Sequence, residues 1–112
     1  MGAEQVVVTW TYDGGCPVVH LAGEVDLATA SDCFNAVKAG VNGGGGVVVD
    51  LTAVTFIDST GLRGLLELQR VCQVRLVVPV GQARRLMTIS GLDKVFEIFS
   101  STDAAQRHAD TN

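Results

Sequence analysis

The chain has 112 residues, 47% hydrophobic and 18% charged, which fits one compact domain and excludes a disordered segment or a coiled coil. Its net charge of −4 disfavours a nucleic-acid partner, because phosphate backbones select basic faces. No apolar run reaches about 18 residues, so no membrane insertion is expected.

The start M-G-A-E-Q lacks a charged-then-apolar secretory pattern, and Val6 stands where a myristoylation signal wants serine or threonine; a cytoplasmic location is expected. Val6, Val8, Trp10 and Tyr12 then alternate with Val7, Thr9 and Thr11, a period of two that marks a strand. D-G-G-C-P turns the chain into a second strand at residues 18–21, so the first pair is an antiparallel hairpin. Asp26 precedes an amphipathic helix in which Leu27, Ala30, Phe34, Val37 and Val41 recur at spacings of three and four. Gly40 or the N-G-G-G-G run closes it, and that run is read as a flexible connection. Residues 47–51, V-V-V-D-L, form a buried strand of the parallel type, interrupted only by Asp50.

A second helix follows at Ser59, then R-L-V-V-P-V as a strand with Pro79 at its end, where a missing N–H is harmless. Residues 82–90 are expected to be helical with Leu86 and Ile89 inward, and Gly91 stands where a left-handed cap is wanted. Residues 95–99 read as the last strand, capped into a short helix through Arg107, and residues 108–112 as a fraying tail. The ordered core is expected over about 5–107. Strands alternating with helices imply a parallel sheet with right-handed crossovers. Its core should include Phe34, Leu51, Ile57, Leu65, Leu86, Ile89 and Phe96.

Little here suggests catalysis. I-D-S-T-G is not the G-x-S-x-G elbow of hydrolases. His20 lies within an alternating strand and His108 in the tail, so no fixed triad is expected from either. The glycine run precedes a strand rather than a helix, which rules out a phosphate cradle of the strand–loop–helix kind. Cys16, Cys33 and Cys72 fit no metal pattern and read as thiols, and no metal or cofactor is expected.

The stretch V-T-F-I-D-S-T-G-L at residues 54–62 carries the most information. Strand-like residues run straight into a helix start, where Asp58, Ser59 and Thr60 are all capping types and Leu62, Leu65, Leu66 and Leu68 supply the apolar stripe. A helix N-terminus carries orphan N–H groups and about half a positive charge, so it accommodates a phosphate. A serine there is therefore either an ordinary cap or a switchable one. Charge divides at this segment too: residues 1–58 carry −6 and residues 59–112 carry +2, which suits a basic protein partner as well as a solvated acidic surface.

G-E-V-D-L at residues 23–27, V-V-V-D-L, D-S-T-G-L and R-R-L-M-T-I-S-G-L-D-K-V-F-E-I-F at residues 84–99 follow one another at characteristic intervals. In this order the blocks resemble the STAS-domain family, specifically the small bacterial anti-sigma factor antagonists, over residues 6–105. The resemblance implies an α/β fold with a mixed, mostly parallel five-stranded sheet, about four helices and an N-terminal antiparallel hairpin, its helices largely on one side. It implies phosphorylation of Ser59 by an anti-sigma factor that is also a serine kinase, and reversal by a serine phosphatase. It also implies a partner-binding surface of Glu24, Asp26, Asp58, Ser59, Thr60, Gly61 and Leu62; for Glu24 and Asp26, a cap and its solvated neighbour is the competing reading. The segment after Ser59 departs from the family: V-C-Q stands in place of a glycine turn, so either the helix is short or the loop very tight. Other STAS domains are accessory subunits that regulate a membrane transporter through its ATPase subunit, the alternative reading; the intact Asp58–Ser59 pair favours the switch. Oligomeric state is not legible.

Overall fold

The computed structural model describes residues 6–12, 16–41 and 45–110. Five strands, β1 (Val7–Thr11), β2 (Val18–Val25), β3 (Gly46–Ile57), β4 (Gln73–Val77) and β5 (Glu97–Phe99), lie in one sheet in the order of the chain. β1 pairs antiparallel with β2, and every later neighbour is parallel. The expected mixed α/β architecture, hairpin included, is the one observed. The hairpin turn at residues 13–15 and the glycines at residues 42–44 lie outside the described residues.

Alternation along the strands builds two apolar layers. Val19, Leu21 and Val25 of β2, Val47, Val49 and Leu51 of β3, and Val74 and Leu76 of β4 face one side. Helices α1 (Ala30–Gly40) and α2 (Ser59–Gln69) cover that side with Phe34, Val37, Leu65 and Leu68, and α3 (Gln82–Ile89) adds Met87. The other side is smaller: Val18, Val48 and Val77 pack under Ala105 of α4 (Thr102–Asp110). Helices thus lie largely on one side, as the resemblance implied. Two glycines permit the close approaches: a Cβ on Gly40 would fall 2.3 Å from the Trp10 ring, and one on Gly64 2.3 Å from Phe34.

Five details correct the sequence reading. β3 runs on through Ile57 rather than ending at Leu51. Leu27 is 79% exposed, because Asp26 and Thr29 form a turn that delays α1 until Ala30. Leu86 and Ile89 are 42% and 76% exposed, and Met87 is the buried residue of α3. On the Met87 side of the same helix, Arg84 donates to the Val78 carbonyl at 2.8 Å. The last strand is three residues long, because Leu92–Lys94 coil into a 3-10 turn after the left-handed Gly91 (φ 80°). Finally, α4 continues to Asp110 rather than ending at Arg107. The connection after α2 is tight, with three residues between Gln69 and Gln73.

The three cysteines are thiols rather than disulfides, and Cys33 and Cys72 are buried; burial pushes Cys33 up to about 11. Burial, and then the neighbouring Cys16, raises Cys72. On the face that α4 leaves open, His20 is held more firmly than its place in an alternating strand suggested. Its Nε2 lies 2.8 Å from Thr11 Oγ1 and its Nδ1 2.8 Å from Asp50 Oδ2. Further along that face the buried Arg75 pairs through Nε with Glu97 at 3.2 Å.

Candidate functional site

Asp58, not Ser59, caps α2. It takes an extended conformation (φ −107°, ψ −171°), and its Oδ1 accepts the Gly61 N–H at 3.0 Å. The first bond of the helical ladder runs from Leu62 N–H to the Asp58 carbonyl at 3.0 Å. The N–H groups of Ser59, Thr60 and Gly61 therefore precede the ladder, and Asp58 takes only the last of them. Ser59 is the first helical residue and its side chain is exposed. Released from capping, its hydroxyl stands at the positive end of an eleven-residue helix.

The helix start is pressed against the sheet. Asp58 N–H donates to the Val25 carbonyl at 3.2 Å, which extends the β2–β3 pairing by one residue past Val25↔Ile57. Gly61 is buried in that contact: an added Cβ would lie 2.7 Å from the Val25 carbonyl and 2.6 Å from Ile57 Cγ1. A glycine is required here by backbone proximity, so the D-S-T-G spacing has a packing cause. Leu62 is half-buried against the main core.

The same register carries residues 24–26 to the side of residues 56–58, with Glu24 opposite Phe56. Glu24, Asp26, Asp58, Ser59 and Thr60 thus share one end of the sheet. Asp26 is committed to the local turn: its Oδ1 accepts the N–H groups of Ala28 at 3.0 Å and Thr29 at 3.2 Å. Thr29 Oγ1 in turn donates to the Glu24 carbonyl at 2.6 Å. Asp26 thus holds the turn ahead of α1, whose N-cap is Thr29, and stands at the rim of the Ser59 end.

Two apolar residues at this end were not read as surface from sequence. Leu27 lies two residues beyond Val25, as Ser59 lies two beyond Ile57, and Phe56 is 51% exposed beside Glu24. The signal for Leu27 was the Asp26–Thr29 spacing of a capping turn, which puts it ahead of the helix. A shallow groove of about 180 Å³ opens between α1 and α2, where Thr60, Arg63 and Glu67 face Phe34 and Lys38. Among the described residues no group of three or more His, Cys, Asp or Glu side chains is placed to hold a metal. None of their helices is long and apolar enough to cross a membrane.

Comparison with known proteins agrees with this geometry. The chain is 31% identical over 103 residues to the anti-sigma-F factor antagonist RsfB of Mycobacterium tuberculosis, covering 88% of this chain and 84% of that protein. A crystal structure of an anti-sigma factor antagonist from Mycobacterium paratuberculosis superposes with a TM-score of 0.85 at 28% identity, over 94% of both chains. The fold also recurs in the murine anion transporter Slc26a9, with a TM-score of 0.76 at 18% identity over 91% of this chain and 19% of that one. The model of the STAS domain matches residues 9–105, and this chain belongs to the STAS-domain family.

Proposed function

We propose that this chain is an anti-sigma factor antagonist whose binding is switched by phosphorylation of Ser59. The observation that carries the reading is the division of work at the start of α2: Asp58 holds the helix, and Ser59 presents a hydroxyl that the fold does not need. The names carried by the mycobacterial relatives support the partner class. Unphosphorylated, the surface of Glu24, Asp26, Asp58, Ser59, Thr60, Gly61 and Leu62 docks on an anti-sigma factor that is also a serine kinase, and the sigma factor is released. Gly61 contributes through backbone fit alone, since it is buried.

Transfer of the ATP γ-phosphate to Ser59 adds about −1.5 to −2 charge beside Asp58. The helix N-terminus accommodates that charge, so the fold is retained and the cost falls on the interface. An interface penalty of about 3 kcal/mol weakens binding roughly a hundredfold, enough for a switch. The serine supplies only the acceptor oxygen; base and magnesium belong to the kinase. A serine phosphatase resets the switch. The chain is a substrate and a ligand in the cytoplasm, and needs no cofactor for either role. The test is to mix it with a serine-kinase anti-sigma factor and ATP and weigh the product intact: one added phosphate on Ser59 is expected, and none overturns the reading.

The likeness to a transporter domain favours one second reading, an accessory STAS subunit that regulates a membrane transporter through its ATPase subunit. There Ser59 is a fixed contact, and binding survives an acidic replacement.

A further inference from the structure

Thr11, His20 and Asp50 lie on the face of the sheet that α4 leaves open, apart from the Ser59 end. The strand register puts Thr9, His20 and Asp50 side by side across β1, β2 and β3, and Thr11 is the next residue of β1 on that face. Thr11 Oγ1 to His20 Nε2 and His20 Nδ1 to Asp50 Oδ2 are both 2.8 Å.

The direction of each hydrogen bond follows from what the last member accepts. Asp50 Oδ1 takes both the N–H of Thr52, at 3.0 Å, and its hydroxyl, at 2.5 Å. Burial raises the Asp50 pKa, but the Thr52 and His20 contacts outweigh it and hold the carboxyl below its ordinary value, so near neutral pH it is ionised and has no proton to give. Neutral His20 therefore carries its proton on Nδ1, directed at Asp50, and offers the lone pair of Nε2 to Thr11. The Thr11 hydroxyl must donate. A hydroxyl donating to an imidazole that a carboxylate orients is the arrangement that makes a weak oxygen nucleophilic. Thr11 is exposed, and the imidazole is 35% exposed, so a small reagent reaches both.

We propose that Thr11 is an acyl-acceptor site, in which His20 takes its proton and Asp50 positions His20, for small acyl donors with a good leaving group, such as acyl phosphates and aryl esters. Oγ1 attacks the carbonyl carbon and forms the ester bond. The bond from that carbon to the leaving group breaks, and the leaving group departs with the electron pair as an anion. The Oγ1 proton passes to His20 Nε2 and from there to water. The donor class follows from this economy: the imidazole in contact with Thr11 has just been protonated, and a leaving group stable as an anion asks nothing more of it. The product is a stoichiometrically acylated chain rather than a turnover reaction.

The full chain is incubated with p-nitrophenyl acetate at mildly alkaline pH, and the sites of acetylation are mapped by peptide mass spectrometry. One acetyl group on Thr11 is expected, formed faster than on Tyr12 or on the lysines. Thr11→Ser should keep the label, and Thr11→Val should lose it. Asp50→Asn, still folded by circular dichroism, should slow labelling at least about tenfold, the lower range for a lost general base, and Asp50→Glu should recover part of the rate. Acetyl on lysine or tyrosine but not on Thr11 in the folded wild-type chain overturns the proposal, and leaves the three residues as a polar staple between strands. An Asp50→Asn variant that labels at the wild-type rate overturns the positioning role.

Discussion

Asp58 Oδ1 holds the Gly61 N–H at 3.0 Å, and this one bond leaves the Ser59 hydroxyl outside the cap. Had Ser59 been the cap, its hydroxyl would be held by the backbone and the helix would depend on it. With Asp58 in that role, the two residues should part experimentally. Asp58→Ala should lose about 1 kcal/mol of stability, the usual cost of a lost cap. Ser59→Ala should melt within about 0.5 kcal/mol of wild type, as exposed substitutions do. Equal losses in thermal melts would mean that the cap has been assigned to the wrong residue.

The phosphate itself should fall on Ser59 and not on Thr60. Thr60 is partly buried in the α1–α2 groove, whereas Ser59 is exposed. With kinase and ATP supplied, Thr60→Ala should still incorporate one phosphate and Ser59→Ala none. The reverse pattern in intact-mass measurements would move the site by one residue.

Gly61 tests packing against propensity. In an exposed helix, glycine to alanine gains about 1 kcal/mol. Here the new Cβ lies 2.7 Å from the Val25 carbonyl, which belongs to the β2–β3 pairing and cannot yield as a side chain would. Overpacking of this kind costs about 1–3 kcal/mol, so Gly61→Ala should be destabilising on balance. Urea unfolding gives the sign directly. Met87→Ala should likewise cost about 2–5 kcal/mol, since Met87 is 1% exposed, whereas Ile89→Ala on the same helix should be nearly neutral.

The strand-to-helix junction was legible because the hydrophobic period changes there, from the β-like run ending at Ile57 to the leucine stripe of α2. The face of α3 was not. Its eight residues hold Leu86, Met87 and Ile89 close together, and only packing outside the helix separates the buried Met87 from the exposed other two. The Thr11–His20–Asp50 chain was hidden for a different reason. Its members are brought together by strand register, across 30 residues between His20 and Asp50, and no local pattern carries that pairing.

Asp50 should also leave a mark on acid stability. Burial alone raises its pKa, but the Thr52 hydroxyl and N–H and the His20 imidazole outweigh that and hold it below the ordinary carboxylate value. The folded state then binds fewer protons than the unfolded chain near the unfolded pKa of about 3.9. The stabilisation is complete above that value and is lost as pH falls through the lower folded pKa. Melting temperature should therefore fall less steeply below about pH 4 in Asp50→Asn than in wild type. Parallel curves would show that Asp50 titrates alike in both states.

The switch is tested by an acid at position 59. Ser59→Asp brings one charge where a phosphate brings nearly two, and lacks the third oxygen. It should still weaken binding to a serine-kinase anti-sigma factor about tenfold or more, about 1.4 kcal/mol, because the new charge sits beside Asp58 in a surface that must be desolvated. The isolated domain should melt close to wild type, since an acid in the first turn of α2 meets the positive end of the helix. Calorimetric titration and thermal melting have to be read together. Lost binding with a collapsed melting temperature would show unfolding rather than switching. Unchanged binding would favour the accessory-subunit reading, in which Ser59 is a contact and never a switch.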